Sequence, residues 1–501
     1  CAGNRARFLL DTGRPEPARA WIARAQAVLD GPSGANEDAW HRALTRARLA
    51  DLGIAIAYET GAEIDLAPLL AEIDALRRIA PEASPDYTMV LANAADSALA
   101  SGDPATARAL LTEAVAHNQT ALPEIAPQAL DTQVLLAQLE LVSGNRAAAR
   151  RIYRRVTEAR KAPLYQTTLP QAASEFEQFA WLLIDRPDPS PRAVAEAFEA
   201  LQWTQITQSA EAMAVLETRL SVEDPSRGAL LRQRQDLTEA YAGLSARLTD
   251  SFGSGTRHAA AAQITTDLDA IEAQLARVDT TLDALGLGTI GIGRVKPLPL
   301  AEVQALLRPG EMLITFLLPS LNPDYIPGLD GAANHVIGVT KQGVHIARMG
   351  EVSRRVLNER IQAFRCDMAV SDPGCDTGGA QGLRGAMSAG GPQNRKGRDY
   401  FDLVRAHALY ADLFGDLAGL LPVYPQLIIA PPPDLLRLPF QALVTSETLP
   451  DSLAEADWLI RRHAIAVLPS IASLRTLRAQ SDGARRLDRM LGVGDPVIGA
   501  A

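Results

Sequence analysis

The sequence predicts a multidomain chain: an all-α solenoid and a helical hairpin, followed by a partial α/β domain of the α-β-α sandwich type. Three observations carry this. Helical hairpins with similar turns recur between residues 5 and 160. Two long segments rich in Gln, Arg, Glu, Leu and Ala follow, separated by a short Ser/Gly loop. The last third then alternates short apolar runs with turns and helices. At 501 residues the chain is too long for one core, so several domains are expected.

The hairpins are read from paired copies. NAADSALASGDPATARALLTEAVA, beginning near Ala92, matches VLLAQLELVSGNRAAARRIYRRVTE, Val134 to Glu158. Each has an apolar helix, a Ser-Gly-Asp or Ser-Gly-Asn turn, and an Ala-x-Ala-Arg helix. An earlier copy turns at Gly13, and a weaker one at Gly61. The turn glycines Gly13, Gly61, Gly102 and Gly144 are separated by 48, 41 and 42 residues. These spacings exceed those of a standard tetratricopeptide repeat, but the hairpin chemistry resembles it. Such hairpins bury their apolar faces only by stacking. Proline spacers at Pro81–Pro85 and Pro187–Pro191 are expected to break the stack, and Trp181-Leu182-Leu183-Ile184 is expected to be buried. Helix resumes at Arg192. The segments 226–250 and 257–285, joined by SFGSGT, read as an antiparallel helical pair. In the second, Ile264, Leu268, Ile271, Leu275, Val278, Leu282 and Leu285 form one apolar stripe. The expected divisions are 1–185 for the repeats, 186–285 for the helical extension, and 286–501 for the α/β part, with an insertion at 366–398.

In the α/β part, Leu300–Leu307 reads as a helix, Met312–Leu318 as a strand, and Val336–Thr340 with Val344–Ala347 as a hairpin. Val352–Phe364 and Asp399–Leu420 read as helices. Leu427-Ile428-Ile429-Ala430 has no polar alternation, which suits a strand covered on both faces. Pro431, Pro432 and Pro433 stop it, because proline cannot donate to a ladder. Asp434–Leu436 turn the chain, and Leu438, Pro439, Phe440, Ala442 and Leu443 return to the same core. Strands are expected at 465–468 and 490–493, with a helix at 471–479.

The apolar strand, the Pro/Asp turn, Leu438-Pro439-Phe440-Gln441-Ala442-Leu443, the strand ending in Pro469-Ser470 and the late Gly494-Asp495-Pro496 together resemble the opening half of a CHAT domain. This is a caspase-like peptidase module often found behind helical repeats. The resemblance spans about 290–501. It implies a small leading sheet ahead of the peptidase core, and parallel packing of 427–430, 465–468 and 490–493. It further implies a cysteine endopeptidase in which a histidine accepts the thiol proton. In the family that histidine and cysteine follow the Gly-Asp-Pro segment. They map to no position here, so no catalytic residue is assigned, and the chain by itself is expected to be inactive. These residues are expected to form part of a longer protein, with an apolar sheet edge left open. The alternative is a non-catalytic interaction scaffold.

His41, His117, His258, His335, His345, His407 and His463 read as surface or packing residues. The net charge of −10 gives no support for nucleic-acid binding. The expected partner is a protein or peptide on the helical repeats, the oligomeric state being open. No cofactor and no metal are implied: cysteine and histidine spacings suggest no zinc site, and the Gly-rich 366–398 segment lacks the Gly-Lys-Ser/Thr ending of a phosphate loop. No apolar run reaches membrane-spanning length. Cys366 and Cys375 can close a loop disulfide or remain free thiols, and Cys1 is either a lipid-bearing cysteine or the point of a cut. The compartment is accordingly cytoplasmic, or periplasmic and lipid-anchored if Cys1 is processed and the pair is bridged.

Overall fold

The structure is a computed structural model that describes residues 2–11, 14–31, 38–79, 85–121, 127–161, 172–205, 258–284, 297–319, 333–368, 401–450 and 452–482, with scattered residues between 229 and 247. The expected strand at 490–493 and the insertion from 369 to 398 lie outside the described residues.

The helical part stacks hairpins: α1 (Ala2–Asp11) on α2 (Pro15–Asp30), α3 (Ala39–Glu59) on α4 (Ala67–Ile79), α5 (Pro85–Ala100) on α6 (Pro104–Ala121), and α7 (Pro127–Val142) on α8 (Arg146–Arg160). Gly61, Gly102 and Gly144 end α3, α5 and α7 at φ of 66°, 81° and 78°. The same two backbone bonds close each turn. At the second, Gly102 N donates to Leu99 O at 3.0 Å and Asp103 N to Ala98 O at 2.8 Å. This is the double bond of a left-handed helix C-cap, which glycine adopts at least cost. It is the physical content of the turn signal in the sequence.

Pro187–Pro191 do not break the stack. Ser190 caps α10 (Pro191–Thr204) through its side chain, with Pro191 in the first turn, where a missing N–H is harmless. The segment is thus the turn of a fifth hairpin, α9 (Ala173–Ile184) on α10. It falls at the expected division between 1–185 and 186–285, so helices on either side of that division pack together. Trp181 to Ile184 are all buried.

Next in sequence is α11 (His258–Ala284). Ile264, Leu268, Leu275, Val278 and Leu282 are buried on it, and Ile271 is half-buried. Arg234 pairs with Asp279 at 2.5 Å, which brings the segment before the loop against α11.

Among the described residues the sheet has five strands: β1 (Glu311–Leu317), β2 (His335–Val339), β3 (Val344–Arg348), β4 (Gln426–Ile429) and β5 (Ala464–Val467), in the order β3-β2-β1-β4-β5. β1, β4 and β5 are parallel, with Leu313 opposite Ile428 and Ile428 opposite Ala466. The β2–β3 hairpin runs antiparallel beyond β1. The expected leading strands therefore belong to the same sheet as β4 and β5. β1 is central, because its uncharged run from Met312 to Leu318 is buried on both faces like that of β4.

Two layers cover the sheet. On one face Met312, Ile314, Phe316, Leu427 and Ile429 pack with α13 (Arg354–Met368) and α14 (Leu403–Phe414) and with Leu435, Leu438, Phe440 and Leu443. α12 (Leu300–Leu306) belongs to the other face. The expected helix 399–420 stops at Phe414, because Gly415 turns at φ 45° against the backbone of Arg348. On the other face Leu313, Leu317, Ile337, Ile428 and Ala430 share one continuous core with Tyr153, Phe176, Trp181, Phe198 and Leu201 of the helical stack. The expected helix after β5 begins at Ser473 and ends at Asp482 as α16, a four-residue helix Leu459–Arg462 being α15. Among the described residues β5 pairs only with β4, and Val467 is 41% exposed.

One carboxylate in the stack is under strain. Asp96 on α5 has its pKa raised to about 6, by burial and then by the charge of Asp51 on α3. A raised carboxylate pKa means the fold holds that proton, so ionisation costs stability as pH rises from 3.8 to about 6 and the cost persists above. Asp96→Asn is therefore expected to raise stability by about 1–2 kcal/mol near neutral pH, with the gain vanishing at about pH 4, as read by thermal unfolding.

Candidate functional site

Because β1, β4 and β5 are parallel, their carboxyl ends lie along one edge, where ligands bind in open α/β sheets. Leu318, the Ala430–Asp434 turn and Leu468–Ser470 form that edge. β2 runs the other way, so its first residue, His335, faces Leu317 there.

The turn after β4 is held by an ion-pair bridge. Pro433–Leu435 wind one 3₁₀ turn and present Asp434. Arg354, at the start of α13, donates to Asp434 Oδ2 at 2.5 Å, to Glu177 Oε2 of α9 at 2.8 Å and to Leu318 O at 3.2 Å. Asn358 adds a bond to Asp434 Oδ1 at 3.1 Å. Burial works against the Asp434 carboxylate, but Arg354 outweighs it and holds the group below the usual carboxylate range. The Glu177 side chain is only 5% exposed, so the guanidinium supplies a positive charge to a buried carboxylate.

A second tie is neutral. Gln205, just past α10, donates through Nε2 to Thr315 Oγ1 at 3.1 Å and to Ala430 O at 3.0 Å, while its Oε1 accepts from Ile471 N at 3.1 Å. One buried amide thus joins β1, the end of β4 and the segment after β5. Gln202 similarly exchanges two bonds with the backbone of Leu298, at 2.9 and 2.8 Å. Neither glutamine was recognisable in the sequence as a contact residue, since polar residues in a helix ordinarily face water. Arg354 and Glu177 were equally silent. Asp434 was read as a turn residue only.

The histidines are dispersed. His41 pairs with Asp38, and the His117 ring meets Tyr87 edge-on at 5.0 Å. His407 Nδ1 lies 3.1 Å from Val444 O, and His463 Nδ1 lies 2.9 Å from Tyr424 O. His335 approaches Asp185, His345 sits in β3 opposite Gly338, and His258 opens α11. None of these partners is a cysteine or a serine. Cys366, on α13, is disulfide-bonded, and its partner lies outside the described residues. It stands 12 residues along the helix from Arg354, about 18 Å at the helical rise. Ser470, buried at the edge, meets the Ser473 hydroxyl at 3.0 Å. The arrangement fixes loops; among the described residues it does not pair a nucleophile with a base. Among the described residues no group of His, Cys, Asp and Glu could hold a metal ion, and no helix is long and apolar enough to cross a membrane.

A helical stack whose last layer covers a mixed α/β sheet defines a repeat-coupled sandwich protein. Residues 404–500 match the family model of the CHAT domain, and residues 98–172 match a tetratricopeptide repeat. The chain combines a CHAT domain with a tetratricopeptide-type repeat. No curated protein and no solved structure matches it significantly.

Two outcomes are expected. Arg354→Met costs about 2–4 kcal/mol in urea unfolding, since it removes the cation that bridges buried Glu177 and Asp434, whereas adding Glu177→Gln to that variant costs much less than it does alone. With Cys366 bridged, unreduced and unfolded protein titrates one of the three cysteines, and reduced protein titrates all three.

Proposed function

We propose that the CHAT domain serves a caspase-like cysteine endopeptidase whose His/Cys dyad lies beyond residue 501, and that the helical repeats seat a protein or peptide partner. The observation behind this reading is the CHAT match over β4 and β5, the strands whose following loops meet at one edge with the loop after β1. In this class the histidine and the cysteine sit on loops at that edge, where backbone donors face the developing oxyanion. The chain's own contribution is to hold the edge still: Arg354 fixes the Asp434 turn, and Gln205 fixes the three strand ends. Catalytic residues are assigned to none of its positions. Tetratricopeptide repeats generally mediate protein interactions, which supports a partner on the stack.

One observation favours the alternative, a non-catalytic scaffold. The polar side chains described at the edge are engaged in structural contacts, and α9 covers part of it. The experiment compares the full-length protein with residues 1–501 on a peptide library, with and without a thiol alkylator. Cleavage by the full-length protein alone, abolished by alkylation, is the expected result. No cleavage by the full-length protein in the presence of its captured partner favours the scaffold.

A further inference from the structure

Where α9 ends, the polar contacts between repeats and sheet converge on one carboxylate. Asp185 meets the Arg146 guanidinium of α8 at 3.3 Å, Arg348 of β3 at 3.3 Å, and Nε2 of His335 in β2 at 3.7 Å. One turn earlier, the Trp181 ring lies under Arg146 at 4.3 Å. The side chains of Asp185 and His335 are 13% and 4% exposed. The second imidazole nitrogen, Nδ1, has no hydrogen-bond partner.

A neutral ring suits this pocket. With its proton on Nε2 it points an N–H at Asp185 and leaves Nδ1 as a bare acceptor. An added proton makes both nitrogens donors, and the charge it brings is buried on a side chain only 4% exposed. The groups facing the ring are Asp185 from the end of α9, Arg348 from β3 and the backbone of Ala333 before β2, while Arg146 of α8 faces Asp185. Asp185 and Ala333 favour the charged ring, and Arg348 opposes it.

We propose that the His335–Asp185 contact is an acid-sensitive latch, which holds the last helical hairpin against the sheet edge and loosens as the pH falls. This rests on the seam geometry and is independent of the peptidase reading.

The sign follows from burial. Burial depresses the His335 pKa below 6.5, and Asp185 does not offset it. The undocked or unfolded ring therefore takes up a proton more readily, so the latch is at full strength above pH 6.5 and weakens as the pH falls below it. Two carboxylates respond with the opposite sign. Asp96 in the distant α3–α5 contact and Glu175 at the start of α9 both have raised pKa values, chiefly through burial. Acid therefore tightens those places while it loosens the far end of α9.

Hydrogen–deuterium exchange on the whole 501-residue chain at about pH 7.5 and about pH 5.5, corrected for intrinsic rates, tests this. The last turn of α9 and the β2–β3 hairpin are expected to lose several-fold in protection at the lower pH. Helices α5 and α6 are expected to keep or gain protection. His335→Asn, which cannot titrate, is expected to abolish the regional response. Unchanged protection at the seam, or a wild-type response in the variant, overturns the proposal. If the variant fails to fold, the histidine NMR titration of the wild type decides. A His335 resonance still neutral at pH 6.5 supports the latch, and one that titrates at or above 6.5 overturns it.

Discussion

The junction of repeats and sheet depends on one continuous apolar core. Side chains of α8, α9 and α10 meet those of β1, β2 and β4 in a single hydrophobic cluster. The outer layer of the sandwich is therefore borrowed. A sheet with strands buried on both faces needs cover on each, and on this side the last helical hairpin shares that cover with α12 and α16. At roughly 25 cal/mol per Å² of apolar surface, such a seam is far stronger than the ion pairs along it. The ion pairs determine position instead.

That division of labour shows at the carboxyl edge. Phe316 stacks on Phe440 at 6.0 Å and meets Phe414 edge-on at 6.1 Å, which anchors the Leu-Pro-Phe segment beneath β1. Dispersion of this kind is strong but tolerant of small shifts. The buried amide of Gln205 and the guanidinium of Arg354 are less tolerant. Their bonds have direction, and a shift of the loops would leave buried groups unsatisfied.

The helices and strands were legible because their signals are local. The turn glycines needed a left-handed cap, and Leu427–Ala430 needed two covered faces. Both requirements are visible within a few residues. The central place of β1 was missed, because strand order depends on partners far away in sequence. The hairpin at Pro187–Pro191 was missed for a different reason. Proline at the first helical position marks a start as readily as a break, and only packing distinguishes them. The edge contacts were the least legible. Gln205, Arg354, Glu177 and the His335–Asp185 approach join elements many residues apart, and no periodicity encodes them.

Gln205 carries a last consequence, for biosynthesis. Its amide bonds to residues 225 and 266 positions further along the chain. The hairpins before it close through neighbouring contacts and can form while the ribosome is still extending the polypeptide. The central strand cannot do the same. β1 emerges more than a hundred residues ahead of β4, so its apolar side chain awaits a neighbour, exposed to wrong pairings in the meantime. A nascent chain of this design needs shelter for β1 until β4 has emerged, and slowing translation between the two would lengthen the hazard.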